Sequence, residues 1–173
     1  MPHNRLLRAL KGTTLLARGL LKNPRATLNS INVFRLGKAA ASLAALYQAA
    51  PFIRQSGDYD IVHCHFPENG ELAVSLRDIG AIKGKIITSF HGYTLPHFAN
   101  GKMWRLYGNL VKKGDQFLAC SEHMKRWFER NGWGRDRMIV HRYGVHLNRF
   151  VPSDSRQNSD NQIRLLSVGR LVE

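Results

Sequence analysis

Three stretches carry side chains that could do chemistry. His63-Cys64-His65 sets two imidazoles two residues apart, His91-Gly92 sets another directly before a glycine, and Cys120-Ser121-Glu122 sets a hydroxyl beside a carboxylate. In an extended chain successive side chains alternate faces, so His63 and His65 share one and Cys64 takes the other. Two imidazoles on one face can chelate, but a structural zinc site needs four ligands, and no other Cys/His pair has suitable spacing. The reading is therefore that His65 lines a cleft and His63 is partly structural, with no metal and no cofactor. Ser121 has no base placed beside it by the sequence and no nucleophile-elbow motif around it. It reads as the N-cap of a helix over 122–130, whose first-turn Glu122 suits the helix dipole.

The elements that must position these groups follow from apolar patterning. Residues 59–66 form a short run of β-formers that ends in polar side chains, which predicts a buried parallel strand delivering side chains to its C-terminal end. Residues 85–94 repeat the plan, and 71–79 between them are helical in pattern. This is a βαβ unit, and such sheets bind ligands beyond the carboxyl ends of their strands. Strands are predicted near 60–65, 85–90, 116–120 and 138–141, in a mainly parallel sheet with helices between. After a loop over 93–101, a helix over 102–113 is expected to bury Trp104, Tyr107 and Leu110 or Val111 as core. The fold class is thus α/β, a Rossmann-like parallel sheet with flanking helices.

The chain has 173 residues, of which 43% are hydrophobic. That suffices for one domain with a real core but not comfortably for two. No run of about 18 apolar residues could span a bilayer. Cys64 and Cys120, at predicted strand ends, read as reduced, buried and cytosolic. The net charge is +14, unevenly spread: nine Lys and Arg precede the first acidic residue, Asp58. A field of one sign suggests an anionic partner.

Residues 5–21 fit a basic amphipathic helix. Leu6, Leu10, Ala17 and Leu21 share one face, and Arg8, Lys11, Arg18 and Lys22 the opposite one. Gly12 and Gly19 weaken it by about 1 kcal/mol each relative to Ala, and Asn23-Pro24 stops it. Two arrangements suit the pattern: an interfacial helix on anionic lipid, or a helix packed on the domain with a solvated face. A transit peptide would also be acid-poor and Arg-rich, but no clear processing site follows. A second helix is predicted over 36–53, where the alanine run has high helix propensity.

Taken in order, residues 59–66, Phe90-His91-Gly92, Cys120-Ser121-Glu122, Tyr143-Gly144-Val145 with Arg149-Phe150, and Ser167-Val168-Gly169-Arg170-Leu171 resemble family 4 glycosyltransferases of the GT-B fold. The likeness is nearest to bacterial enzymes that build colanic acid and other exopolysaccharides, and it runs from about Tyr59 to Glu173. The resemblance implies two Rossmann-like domains, the first receiving a glycan or lipid-linked acceptor and the second holding a nucleotide-sugar donor. It implies transfer with retention of configuration and without a required metal. His91 matches the family's histidine near the transferred sugar and is the expected catalytic residue. His65 and Gly92 are expected to bind substrate beside it. Arg170 matches the arginine that contacts the donor diphosphate, where a guanidinium can stabilise charge on the leaving phosphate.

The expected layout is a basic helical segment over 1–57, an acceptor-side domain over 58–151, a linker over 152–161 and the first strand of a donor domain over 162–173. The family's opening strand and most of its donor domain have no counterpart in the sequence, so the chain is expected to be a fragment, inactive alone. His146 stands where the family usually has an acidic residue. The expected setting is cytoplasmic, peripheral at the inner face of the plasma membrane. Two rivals come from other classes. A basic nucleic-acid-binding module would suit the charge, but the early Lys and Arg sit among Leu and Ala rather than aromatics, and no nucleic acid is expected. A non-catalytic membrane-surface adaptor would bind lipid but no donor.

Overall fold

The computed structural model describes residues 1–55, 57–92, 103–134, 136–151 and 165–168. It divides into two compact units, Met1–Arg142 and Tyr143–Glu173. In the first, four strands form one parallel sheet in the order β1-β2-β3-β4: β1 Ile61–His65, β2 Lys85–Phe90, β3 Gln116–Ala119 and β4 Met138–Val140. The predicted α/β class, parallel pairing and Rossmann-like alternation all hold. β3 and β4 each end one residue earlier than expected.

β1 departs from the expectation of a buried strand. It is the edge strand of the described sheet, and of its five residues Cys64 alone is buried, while Ile61 is exposed. An apolar run therefore signalled the strand correctly but overstated its cover, because sheet position depends on distant pairing that local sequence does not encode.

The helix after β1 is α6, Pro67–Ile79, which begins four residues earlier than predicted because Pro67 occupies its first position. Proline suits that position: its missing N–H would have no helical partner there. Gly70 lets α6 lie close on the sheet, since a Cβ there would meet Thr88 Oγ1 at 2.6 Å and Leu110 Cδ2 at 2.9 Å. Helix α7, Met103–Lys113, buries Leu110 and Val111 and half-buries Tyr107, as the helical spacing predicted. The Trp104 side chain lies outside the described residues. Helix α8, Glu122–Arg130, has the predicted cap, Met124 N–H donating to Ser121 Oγ at 3.2 Å. Phe90, Phe117, Phe128 and Trp133 form one buried aromatic cluster, with Phe90 4.4 Å from Phe128 and 5.3 Å from Trp133 between ring centroids. The cluster ties β2, β3 and α8 together and fixes the backbone where β2 ends.

Among the described residues five helices precede the sheet: α1 Arg5–Lys22, α2 Pro24–Ser30, α3 Val33–Leu36, α4 Lys38–Ala41 and α5 Ala44–Arg54. The single helix expected over 36–53 is broken twice, at Gly37 (φ 52°) and at Leu43 (φ 61°). Propensity lost here to packing. Leu43 turns its side chain onto α1, where a Cβ on Gly12 would meet Leu43 Cδ1 at 2.8 Å. Gly19, two turns on, packs against Thr27 in the same way. The glycines that weaken α1 as an isolated helix thus form its buried face, and the leucine face predicted from the wheel looks outward. The Tyr47 hydroxyl donates to the Arg8 carbonyl at 2.8 Å, closing α5 onto α1. Asn23, Asn29 and Arg35 donate to the carbonyls of Gly80, Ile79 and Asp78, satisfying orphan groups at the C-terminal end of α6.

In the second unit Leu147–Arg149 forms a short 3₁₀ turn. Leu165–Val168 carries no regular structure, and Leu165, Leu166 and Val168 are exposed. Arg170, the loop over 93–101 and the linker over 152–161 lie outside the described residues.

Candidate functional site

The carboxyl ends of β1 and β2 bring the predicted histidines together. Register pairs His65 with Ser89, which sets His91 beside His65 one step further on. His65 Nδ1 lies 3.1 Å from His91 Nε2, the rings stacked at 5.3 Å with 13° between their planes. His63 lies 4.8 Å from His65 between ring centroids, and its Nε2 is 2.8 Å from the buried Ser89 hydroxyl. His63 and His65 share the exposed face and Cys64 turns inward, as alternation predicted. Cys64 is buried and Cys120 only half-buried, which corrects the expectation for the second; both are free thiols. Burial pushes the Cys64 thiol up, so it is a poor nucleophile. Among the described residues no group of three His, Cys, Asp or Glu is arranged to hold a metal ion.

Sequence reasoning missed Phe66. It follows β1 directly, continues the ladder through its N–H to the Ser89 carbonyl at 3.0 Å, and adopts φ 69°, ψ 148°. A bulky residue at positive φ is strained by about 1–3 kcal/mol and tends to persist where a site requires it. Here the strain turns its ring onto His91, 4.5 Å between centroids. The following Pro67 favours the observed ψ but a negative φ for the residue before it, so nothing in the sequence signalled this angle.

The electrostatics favour neutral rings. Burial lowers the His91 pKa, and repulsion from His65 and then His63 lowers it further. His63 is lowered first by burial, then by His65 and His141. At neutral pH a half-buried, uncharged His91 can donate one hydrogen bond and accept another, which suits it to orient a hydroxyl. Gly92 is exposed, and a Cβ there would meet no atom within 4 Å. Nothing among the described residues demands a glycine at that point. Ser121 is engaged as a cap, and Arg170 lies outside the described residues.

A cleft of about 600 Å³ lies between α1 and α5, but none of the imidazoles lines it. Shifted histidines and a strained backbone mark the strand ends instead, so those ends carry the catalytic reading.

The model of Glycosyltransferase Family 4 matches residues 13–149. The chain belongs to glycosyltransferase family 4. It is 30% identical over 156 residues to WcaL of Escherichia coli K12, named as a colanic acid biosynthesis glycosyltransferase, covering 85% of this chain and 36% of that protein. Its namesake in Salmonella typhimurium LT2 is 29% identical over 154 residues, 86% of this chain and 36% of that protein. EpsD of Bacillus subtilis 168, named as a glycosyltransferase, is 31% identical over 119 residues, 62% of this chain and 30% of that protein. The chain therefore spans about a third of the length of these relatives. No solved structure matches it.

Proposed function

We propose that this chain forms the acceptor-side part of a retaining glycosyltransferase that moves a sugar from a nucleotide-sugar donor to a glycan or lipid-linked acceptor in exopolysaccharide biosynthesis. The observation that carries the reading is the His65–His91 pair at the carboxyl ends of adjacent parallel strands, in a chain of this family. Ligands of open α/β sheets bind in that position. His91, catalytic in this reading, orients the reacting hydroxyl; His65 holds the His91 ring and contacts substrate, and Gly92 leaves room for the sugar. Orientation of this kind supplies a large share of catalysis when reacting atoms are held about 3–3.5 Å apart.

Arg170 is assigned to the donor diphosphate, where it would stabilise leaving-group charge. Because the chain spans a third of its relatives, the 173 residues alone are expected not to transfer sugar. The setting proposed is the cytoplasmic face of the membrane, where a lipid-linked acceptor would be presented. No helix among the described residues is long and apolar enough to cross a membrane, so the contact proposed is peripheral.

A product assay with nucleotide sugars tests this reading, first on the chain as given and then on a version extended to the relatives' length. The expected result is turnover by the extended protein only. Robust turnover by the short chain would refute the claim that it needs a second part, and none by either, with any common nucleotide sugar, would refute the transferase assignment.

A further inference from the structure

The first 55 residues leave two surfaces of α1 unexplained by the transferase site. One is apolar. Leu6, Leu10 and Leu21 are 83%, 69% and 87% exposed, and with Ala17 they fall on one stripe of the helix, opposite the buried Gly12 and Gly19. The other is basic. The cleft between α1 and α5 is lined by Lys11, Thr14 and Leu15 from α1 and by Tyr47, Pro51 and Arg54 from α5. A smaller hollow shares Leu15 and Arg54 with it and adds Arg18. Neither Lys11, Arg18 nor Arg54 has an acidic partner among the described residues, and no carboxylate precedes Asp58. On the helix, Thr14 lies between the stripe and the cleft, so the two surfaces adjoin. Pro51, inside α5, has no N–H to donate to the Tyr47 carbonyl.

From this juxtaposition we infer that the α1–α5 cleft is a headgroup site for an anionic glycerophospholipid, entered as the leucine stripe of α1 lies in the bilayer interface. The inference rests on the peripheral-membrane part of the reading above and adds a defined binding site to it. Lys11 and Arg54 match a phosphodiester, and the Thr14 hydroxyl can donate to it. A nucleic acid would satisfy the same cations but leave the adjoining leucines in water. A bilayer takes up both the charge and the apolar stripe.

The test is co-sedimentation of the 173-residue chain with phosphatidylcholine vesicles, with and without 30% phosphatidylglycerol, at physiological salt. The expected result is binding that requires phosphatidylglycerol. K11Q/R54Q should then weaken it about thirty-fold, as expected for two cations near the surface at about 1 kcal/mol each. R105Q/R130Q, which removes equal charge from α7 and α8, should weaken it no more than about two-fold. L10Q/L21Q, at exposed positions that do not threaten folding, should weaken binding to the phosphatidylglycerol vesicles. No preference for phosphatidylglycerol would overturn the membrane reading itself. Preference with equal loss in the two charge pairs would leave that reading standing and overturn the cleft. Full displacement by a random oligonucleotide at equal phosphate concentration would overturn it in favour of nucleic acid, and full displacement by free inorganic phosphate at that concentration would overturn the lipid assignment.

Discussion

At the amino ends of the strands, Asp115 accepts from the Ile86 N–H at 2.9 Å and pairs with Arg77 and Lys85. Arg77 also donates to the carbonyls of Lys113 and Gly84, and Arg137 to those of Gly114 and Val111. At the carboxyl ends, three imidazoles lean on one another, and a phenylalanine sits at positive φ. Both ends belong to the same sheet and share its aromatic core. At one end Asp115 meets two cations, and Arg77 and Arg137 meet carbonyl oxygens. Burial would raise the Asp115 pKa, but the Ile86 hydrogen bond and Arg77 outweigh it and hold the carboxyl below its ordinary value. At the other, like groups crowd together and burial keeps two of them from taking a proton. The first pattern stabilises the fold. The second holds rings in a geometry the fold itself does not need, which is how a site looks in physical terms.

The comparison can be broken most violently through the shared core. Phe90→Ala should cost about 3–5 kcal/mol, since it empties the centre of the aromatic cluster. Denaturant unfolding would show it, and loss of both the Arg77 and His91 environments by NMR should accompany it. Arg77→Ala should cost about 2 kcal/mol, because it removes charged hydrogen bonds and leaves Asp115 half-buried without its main partner. The histidine ring signals should hardly move; a large shift there would mean the two ends are not separable.

Phe66 sharpens the other side. Phe66→Gly should be about 1 kcal/mol more stable than Phe66→Ala, since only glycine relieves the positive φ. Both should lower sugar transfer in the extended protein. Equal stabilities would mean that the backbone is not strained. The smallest effect concerns pH. Because the folded pKa values of His63 and His91 are depressed, the unfolded chain takes up more protons as pH falls through about 6.5. Stability should therefore decline from pH 7.5 toward pH 5. The slope should be shallower in His63→Asn/His91→Asn, and an unchanged slope would contradict the ring environments described.

What was legible in the sequence was local. Period-two alternation placed His63 and His65 together, the Ser121 cap was read correctly, and strand-helix-strand order gave the parallel sheet. Less legible was anything set by contacts across long separations. Gly12 and Gly19 read as weaknesses of a helix until Leu43 and Thr27 were seen against them. The alanine run read as one helix because propensity does not register the turns at Gly37 and Leu43. The His65–His91 bond joins residues 26 apart, and only strand register could bring them together. Phe66 was overlooked because an aromatic after a strand is ordinary, and its significance lies in a backbone angle.

The central proposal is that His91, supported by His65 and Phe66, orients the reacting hydroxyl in sugar transfer. The most direct measurement is the rate of sugar transfer by the extended protein with His91→Ala, set beside Arg77→Ala at a temperature where both remain folded. His91→Ala should lower kcat/KM by about 100-fold or more, the range of a lost positioning or proton-transferring group, while Arg77→Ala transfers at close to the parent rate. Undiminished transfer by His91→Ala would contradict the account.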